Sequence, residues 1–257
     1  MRESEAERIL ATGYILSAVF SVVSLISLVT AWQHWAWTLN VCINIDCGCI
    51  LYGINTFSTF MGGDAKLCHF GTYGLIPVIF IGLCLGGYHA YRCCIYRNLD
   101  EPKECERNRY ANNTNGRVVV VGPKRRSPYK QWMPAAFLAV LLCCLSLAHA
   151  VVMTDGYYKT CEQYRRQLIQ LLGSRGREAE VIHNRLACGG ILDFMDYLQP
   201  DTNNWRRVNE INTGIALQLA IVCTWLNFIA WIVACLINVV MGRRRLSTLG
   251  ERLCCCC

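Results

Sequence analysis

Four long stretches without a charged side chain constrain the fold of this chain more than any other feature. They cover residues 9–31, 71–91, 132–153 and 211–242. About 20 apolar helical residues cross the hydrocarbon core of a bilayer, and a charge at its centre costs about 2.5–3.5 kcal/mol on insertion scales. The sequence therefore predicts an all-α integral membrane protein, a bundle of four transmembrane helices.

The composition and the first segment support this interpretation. Charged residues make up 17% of the chain and apolar residues 54%, whereas a soluble domain needs about 25% charge. Residues 1–8 carry three Glu against two Arg, and no small-residue cleavage site follows the first apolar stretch. We therefore expect residues 9–31 to be a membrane helix that is retained, because a cleaved signal peptide has a basic start and a shorter apolar region.

The distribution of Lys and Arg predicts the orientation in the membrane. The N-terminal segment, the middle loop and the tail together hold 16 Lys and Arg, and the other two loops hold 9. Because cytoplasmic segments carry the excess of Lys and Arg, both termini are expected in the cytosol of a multi-pass protein of the plasma membrane. The cytosolic segments are then residues 1–8, 92–131 and 243–257, and the extracellular loops are residues 32–70 and 154–210.

The 18 cysteines divide in agreement with this topology. The two extracellular loops contain six of them, at Cys42, Cys47, Cys49, Cys68, Cys161 and Cys188. An even number on the oxidising side predicts disulfide bonds. We expect Cys161 to pair with Cys188, and Cys68 to pair with Cys42, Cys47 or Cys49. A zinc site at Cys47-Gly48-Cys49 is the alternative, but structural zinc prefers two to four residues between paired cysteines.

The first extracellular loop has a pattern that predicts a small β element within the disulfide-held cap. Apolar residues alternate with others from Trp37 to Ile45, which is the period of a half-buried strand. Trp32, Trp35 and Trp37 cluster where an interfacial aromatic belt is expected. An aromatic binding site is the alternative for this cluster.

The second extracellular loop has two patches with helical spacing. Tyr164, Leu168 and the pair Leu171/Leu172 recur at three- to four-residue intervals between Cys161 and Leu172, and residues 191–198 form the other patch. Such spacing predicts helices with one apolar face. We expect both to lie as lid helices above the bundle.

The cytosolic cysteines predict lipid modification. Those beside a membrane helix with basic neighbours are typical S-palmitoylation sites. They are Cys93, Cys94, Cys254, Cys255, Cys256 and Cys257. For the last four, metal binding and prenylation are alternatives. Ser127 and Ser247 each follow two basic residues, so both are candidate phosphorylation sites, and a purely structural basic anchor around Ser247 is the alternative.

Polar residues within the apolar segments are few and uncharged. Ser17, Ser21 and Ser24 form a stripe, and Gly82 and Gly86 are four residues apart; both patterns favour close helix packing. Asn227 and Asn238, eleven residues apart, share one helix face. Coupled transporters need intramembrane carboxylates or broken helices, and catalytic motifs are missing from the sequence. We therefore expect no enzyme activity, cofactor or metal site.

Short motifs next to the apolar segments resemble those of a known family. They are Asp46-Cys47-Gly48-Cys49-Ile50-Leu51-Tyr52-Gly53, Cys68-His69-Phe70, Tyr88-His89-Ala90-Tyr91-Arg92, Cys161-Glu162-Gln163 and Thr224-Trp225-Leu226-Asn227-Phe228-Ile229-Ala230-Trp231. They resemble the transmembrane protein 179 family, poorly understood four-helix proteins of neural tissue. The middle loop, the second extracellular loop and the cysteine tail depart from that pattern. Claudin-like tetraspans share the two cytosolic ends and a disulfide in the first loop, but their Gly-Leu-Trp signature is missing here.

The function expected from these features is non-enzymatic. The protein would act through membrane partners, as an accessory or assembly subunit of a channel, receptor or adhesion complex. The alternatives are a claudin-like structural protein of cell junctions and a small-pore channel in which Asn227 and Asn238 line a lumen. Expected partners are the lipid bilayer, other membrane proteins and further copies of the chain. Nucleic acid is not expected, because the topology accounts for the net charge of +7.

Overall fold

A computed structural model describes residues 3–42, 46–56, 59–96, 128–171, 186–198 and 211–254 of the chain. Six α-helices and a two-stranded sheet follow one another in these residues, with a π-helical segment, Arg92–Tyr96, after the third helix. The elements are α1 Glu3–Leu39, β1 Cys49–Asn55, β2 Phe60–Gly63, α2 Ala65–Tyr73, α3 Leu75–Tyr91, α4 Pro128–Leu171, α5 Cys188–Leu198 and α6 Thr213–Cys254.

Four helical segments are long and apolar enough to cross a membrane, as the sequence predicts. They are Glu5–Leu39, Ala65–Cys94, Met133–Gln170 and Thr213–Arg243. Large apolar side chains point outward from them, including Ile26, Phe80, Phe137 and Leu236. An outer surface of this kind suits contact with lipid, so the helices indicate a multi-pass membrane protein.

The four long helices pack as a chain of neighbours. α1 lies against α6, α3 packs on the other side of α1, and α4 packs on the other side of α6, whereas α3 and α4 meet only sparsely. Glycines allow the close approach of α3 to α1: a Cβ added at Gly82 would lie 3.3 Å from the carbonyl oxygen of Tyr14, and one at Gly86 would lie 3.0 Å from Cγ1 of Ile15. These two glycines therefore serve helix packing, as their spacing predicts.

The helices are longer than a bilayer requires. α1 has 37 residues and α4 has 44, which correspond to about 55 Å and about 66 Å at 1.5 Å per residue, against about 30 Å of hydrocarbon. The C-terminal parts of α1 and α4 project at one end of the bundle, the cap end. There they form a buried cluster with β1, β2 and α5. The start of α1 and the end of α6 share a second cluster at the opposite end, which we call the terminal end.

The small β element lies later in the chain than the sequence predicted. β1 and β2 pair antiparallel, with Cys49 opposite Gly63 and Asn55 opposite Phe60. The strand expected from Trp37 to Ile45 is wrong wherever its residues are described, because α1 continues through Leu39 and residues 40–42 belong to neither a helix nor a strand. Residues 43–45 lie outside the described residues. Leu39 is fully buried at the cap end. Its packing there therefore favours helix at the end of α1, although the alternation of apolar residues alone favoured a strand.

Only one of the two expected lid helices is a separate element. α5 covers the second apolar patch as an independent helix. The first patch is instead the last part of α4, which runs without interruption from Pro128 to Leu171. Tyr164 and Leu168 are fully buried in it. The prediction of a helix from their spacing is therefore confirmed, and the prediction of a separate lid helix is wrong. The third membrane helix itself supports the cap.

A proline separates the two helices that form the second apolar segment. α2 ends at Tyr73 and α3 begins at Leu75, with Gly74 donating its N–H to the carbonyl of Phe70 at 2.9 Å. Pro77 has no N–H to offer the carbonyl of Tyr73, four residues earlier, and this interrupts the helical hydrogen bonds. The segment nevertheless continues as one candidate span.

Candidate functional site

Three disulfides hold the cap together. The first lies within the segment between α1 and β1, the second joins β1 to α2, and the third joins α4 to α5. The pairs are Cys42–Cys47, Cys49–Cys68 and Cys161–Cys188. The pair Cys161–Cys188 is the one expected from the sequence. Cys68 pairs with Cys49, one of the three partners expected for it. Because both sulfurs of Cys47-Gly48-Cys49 are in disulfides, neither is a thiolate that could bind zinc.

β1 is fixed directly to α4 through one threonine. The hydroxyl of Thr160 donates to the carbonyl of Ile50 at 2.8 Å and accepts from the N–H of Gly53 at 3.0 Å. Between them, Tyr52 has a φ of 58°, a left-handed conformation that costs a non-glycine residue about 1 kcal/mol or more. Its ring lies over Gly156, where an added Cβ would be 2.8 Å from Cε2 of Tyr52. Hydrogen bonds and packing thus hold β1 in a strained but defined position.

Charged groups surround the ring of Tyr52. The ammonium of Lys159 lies 5.0 Å from the ring centroid and 3.0 Å from the carboxylate of Asp155. Burial, together with the hydrogen bond and the negative charge of Asp155, raises the pKa of Tyr52 to about 12. The phenol therefore stays neutral at physiological pH and acts as a structural hydrogen-bond donor.

A buried hydrogen-bonded chain connects α1, α5 and α6 at the cap end. The indole N–H of Trp35 donates to Oγ1 of Thr213 at 2.8 Å, and this hydroxyl donates to Oδ1 of Asp196 at 2.5 Å. The backbone N–H of Thr213 donates to the second carboxylate oxygen at 2.9 Å. Burial raises the pKa of Asp196, while the two Thr213 bonds and the nearby His34 oppose that rise. The first residue of α6 is thereby fixed to both neighbouring elements.

Only one of the three tryptophans expected in an aromatic belt has an open surface. Trp35 is 1% exposed within the chain just described, and Trp32 donates its indole N–H to the carbonyl of Gly48 at 3.0 Å. Both therefore fasten the cap to α1, and the belt interpretation is wrong for Trp35. Trp37 is 91% exposed. Sequence spacing could not separate these roles, because they depend on which side of α1 faces the cap.

Within the bundle, the two asparagines of α6 bond to neighbouring helices. Oδ1 of Asn227 accepts from the hydroxyl of Ser17 at 2.6 Å, and its Nδ2 donates to Ser146 at 3.3 Å, so α1, α4 and α6 meet at one amide. Nδ2 of Asn238 donates to the hydroxyl of Tyr14 at 2.8 Å. All of these side chains are at most 1% exposed. The asparagines proposed for a channel lumen therefore contribute to helix association.

A cavity of about 340 Å³ lies between α3 and α4 near the terminal end. It occupies the place where these two helices fail to pack against each other. α3 contributes Leu85, Tyr88 and His89 to its wall, and α4 contributes Pro134, Ala135 and Leu138. Asn238 of α6 closes its inner side. Nothing in the sequence pattern indicated this space, because it results from the order in which the helices pack.

The residues expected to carry modifications lie at the terminal end or outside the described part of the chain. Cys93 is half-buried and Cys94 is exposed, directly after Arg92, which forms a 2.9 Å ion pair with Glu7. Ser247 and Cys254 belong to the last turns of α6. The remaining candidates, Ser127, Cys255, Cys256 and Cys257, lie outside the described residues.

Among the residues that the structure describes, no group of three or more His, Cys, Asp or Glu side chains is placed to hold a metal ion. Comparison with known proteins found no matching family model, no matching curated protein and no matching solved structure. The resemblance to the transmembrane protein 179 family therefore stays a prediction.

Proposed function

We propose that the chain is a non-enzymatic multi-pass protein of the plasma membrane, with cytosolic termini, that acts through other membrane proteins as an accessory or assembly subunit. Its cap is the part that meets the partner. Three disulfides, the Thr160 bonds to β1 and the Trp35–Thr213–Asp196 chain hold the cap on the bundle. A surface held in this way binds with little loss of conformational entropy.

The observation that carries the proposal is the exposure of Trp37, which we place beyond the reach of lipid by the following estimate. The last charged residue before the first apolar segment is Arg8, which is exposed on α1. A hydrocarbon core of about 20 residues that begins at Ile9 ends near Leu28. Trp37 then lies about 13 Å further along the helix, beyond a headgroup layer of about 5–8 Å. A helix tilt of about 20° shortens this by only about 2 Å.

An exposed tryptophan in water is unusual unless a partner covers it. Trp37 is 91% exposed, and Val41, just beyond the end of α1, is 51% exposed. Tryptophan is the residue type most enriched among those that dominate binding energy at protein interfaces. The outer end of α1 is therefore our candidate contact with a partner's extracellular part.

Two substitutions test the proposal. Trp37→Ala removes the candidate contact, and Phe137→Ala is the matched control because Phe137 is 69% exposed on an apolar span. Cells expressing tagged wild-type or variant chain are crosslinked, gently solubilised and analysed by affinity purification with mass spectrometry. Membrane proteins that co-purify with the wild type should fall at least about tenfold with Trp37→Ala, the loss expected for a central interface tryptophan. The Phe137→Ala variant should retain them.

Mixed cultures separate an accessory subunit from the junction alternative. Cells that express the chain are grown beside cells that do not. An accessory subunit follows its partner over the cell surface, whereas a junction protein concentrates only at contacts where both cells express it. Enrichment restricted to such contacts contradicts the proposal, as does co-purification that is lost with Phe137→Ala and kept with Trp37→Ala.

A further inference from the structure

We propose that the Cys42–Cys47 disulfide is a redox switch of the partner contact: a dithiol reductant opens it, and the outer end of α1 then binds its partner less tightly. This inference rests on the proposed function, because it assigns a regulation to the contact at Trp37 and Val41. The disulfide lies directly beyond that contact, since α1 ends at Leu39 and Cys42 follows Val41 in the chain.

Access distinguishes this disulfide from its neighbour in the cap. A reducing thiolate must reach one of the two sulfurs of a disulfide. Cys42 is half-buried and Cys47 is buried, so Cys42 is the residue that a reductant approaches. In the pair Cys49–Cys68, both cysteines are fully buried. That second disulfide is therefore closed to a reductant as long as the cap stays folded.

The surroundings of Cys47 suit the reduced state. The backbone N–H of Cys42 donates to Sγ of Cys47 at 3.2 Å, and such a donor stabilises the thiolate that leaves when the disulfide opens. The carbonyl oxygen of Leu39 lies 3.6 Å from the same sulfur, and Oδ1 of Asn40 lies 3.7 Å from it. Both oxygens accept a hydrogen bond from a thiol, whereas a disulfide sulfur has no proton to donate. These two acceptors therefore favour the reduced pair.

The surroundings of the Cys161–Cys188 disulfide disfavour reduction. Cys188 is half-buried, but its partner Cys161 is buried in the apolar cluster of the cap end. A thiolate leaving at that position would be a charge in an apolar environment, which is strongly disfavoured. The Cys42–Cys47 bond also closes the shortest loop of the three. Its loss therefore perturbs the folded state least, as a reversible switch requires.

The exchange with the dithiol proceeds in two steps. A thiolate of the reductant attacks Sγ of Cys42, and Cys47 leaves with the bonding electron pair and takes up a proton. The second thiol of the reductant, as a thiolate, then attacks the reductant's own sulfur in the mixed disulfide. Cys42 leaves with the electron pair and takes up the second proton. The reductant ends as a disulfide and has supplied two electrons and two protons.

Opening the disulfide releases the segment that continues the partner contact. Residues 40–42 belong to neither a helix nor a strand. Cys47 holds this segment through the disulfide, through the bond from the N–H of Cys42, and through its own N–H, which donates to Oδ1 of Asn40 at 3.3 Å. Val41, an exposed part of the proposed contact, lies within it. Without the covalent link, the partner must order the segment on binding, and the entropic cost of binding increases.

Selective reduction is measured on the purified full-length protein in lipid nanodiscs, without a partner. After exposure to graded dithiothreitol, free thiols are blocked with a light alkylating reagent, and the remaining cysteines are reduced and blocked with a heavy one. Tandem mass spectrometry gives the reduced fraction at each cysteine. Cys42 and Cys47 should be half reduced at a dithiothreitol concentration at least about tenfold below that of the other two pairs. Simultaneous reduction of all three pairs, or earlier reduction of another pair, overturns the proposal.

Hydrogen exchange on the same samples tests the release of the segment. Selective reduction should increase amide exchange in residues 37–42 and leave the middle of α1 unchanged. A Cys42→Ser/Cys47→Ser double variant should show the increased exchange with or without dithiothreitol. Exchange that does not respond to selective reduction contradicts control of the contact by the disulfide. If the double variant does not accumulate, the selectively reduced wild type decides.

Co-purification measures the effect on the partner. Cells expressing the tagged chain are treated with dithiothreitol at the selective concentration, crosslinked and analysed by affinity purification with mass spectrometry. Recovery of membrane proteins with the wild type should fall about threefold to tenfold, the effect of ordering one or two further side chains. The double variant should give the lower recovery with or without treatment. Cys84→Ser is the matched control, because Cys84 is an exposed unpaired cysteine on a candidate span, and it should behave as the wild type.

The outcomes separate failure of the switch from failure of the proposed function. If the wild type recovers membrane proteins equally before and after selective reduction, the switch is wrong and the proposed function stands. A further fall in recovery when the double variant is treated places the sensitive disulfide elsewhere and also overturns the switch. If the untreated wild type recovers no membrane protein, the proposed function is wrong, and the regulation of its contact is wrong with it.

Discussion

The indole N–H of Trp35 donates a 2.8 Å hydrogen bond to the hydroxyl of Thr213, a residue 178 positions later in the chain. This contact joins the outer part of α1 to the first residue of α6, and Thr213 in turn bonds to Asp196 of α5. One buried threonine thereby determines where three helices meet beneath the cap. Such a chain is stable only when all of its members are satisfied.

Substitution of Trp35 by phenylalanine should therefore destabilise the cap. The change removes one buried hydrogen bond and part of a fully buried ring, and we expect a loss of about 1–3 kcal/mol in the free energy of unfolding. Trp37→Phe is the control two residues away, and it should alter stability by less than about 0.5 kcal/mol because Trp37 is exposed. Denaturant unfolding of the purified protein in detergent measures both. Equal effects would show that the indole of Trp35 has no special structural role.

The burial of Asp196 should make stability depend on pH. Because burial raises the pKa of Asp196, its carboxyl takes up a proton in the folded state at a higher pH than in the unfolded chain. Stability then increases as the pH falls through the folded pKa, until the ordinary carboxyl pKa of about 3.9 is reached.

Asp196→Asn cannot titrate, so the Tm of the wild type relative to this variant should rise as the pH is lowered from 7.5 to 4.5. His34 and Asp193 also act on Asp196, and both remain in the variant, so the difference between the two proteins isolates the carboxyl of Asp196. If the Tm of the wild type relative to the variant instead decreases as the pH is lowered, the Thr213 bonds outweigh burial and hold the carboxylate ionised.

The helices and disulfides were the parts of the structure most accessible from sequence. Charge-free runs have a simple physical meaning in a bilayer, and the four of them correspond to the four candidate spans. The Cys161–Cys188 pair followed from the grouping of cysteines by compartment. Gly82 and Gly86 were recognised as packing residues because a small side chain has few other purposes on an apolar helix.

Features that depend on tertiary contacts were missed. The alternation from Trp37 to Ile45 favoured a strand, but the burial of Leu39 at the cap end keeps the first part helical. The roles of Trp35 and Trp37 differ only in the direction each faces on α1. The left-handed Tyr52 and the cavity at Asn238 depend on how β1 sits on α4 and on which helices pack side by side, and local patterns do not contain this information.

The three disulfides should differ in the stability they contribute. Their cysteines are 27, 19 and 5 residues apart for Cys161–Cys188, Cys49–Cys68 and Cys42–Cys47. Chain-entropy estimates give about 3.6, 3.3 and 2 kcal/mol, so loss of the first pair should reduce surface expression most and loss of the last least. Surface biotinylation measures this reduction.

Single and double variants then test the pairing itself. Cys161→Ser and Cys188→Ser should cause equal losses of surface expression, and the double variant should lose no more than either single one. Additive losses in the double variant would show that the two cysteines have different partners.

A glycosylation sequon tests the orientation of the whole chain. Asn112-Asn113-Thr114 lies in the segment that the positive-inside pattern places in the cytosol, where N-glycosylation does not occur. Treatment of cell-expressed protein with an N-glycosidase should therefore leave its electrophoretic mobility unchanged. A shift in the wild type that disappears with Asn112→Gln would reverse the proposed topology, and with it the assignment of the cap to the outside.

The cysteines at the C-terminus should determine where the protein resides without affecting its insertion. Four inserted spans would already hold the chain in the bilayer, so acyl chains at Cys254, Cys255, Cys256 and Cys257 would add little anchoring. α6 is helical through Cys254, and residues 243–254 would extend about 18 Å beyond Gly242 if straight. Acylation therefore requires the tail to bend back toward the membrane, where each Arg gains about 1 kcal/mol from anionic lipid.

Replacement of all four cysteines by serine should leave the total membrane-bound protein unchanged and redistribute it among membranes. Phosphorylation of Ser247 should loosen the same tail, since it places about two negative charges beside Arg243, Arg244 and Arg245. Acyl exchange on the purified protein is the direct measurement: the four tail cysteines, located by mass spectrometry, should react with a thiol reagent only after hydroxylamine treatment. Free thiols before that treatment would show an unmodified tail, and metal binding or redox chemistry would then be the better explanation for four consecutive cysteines.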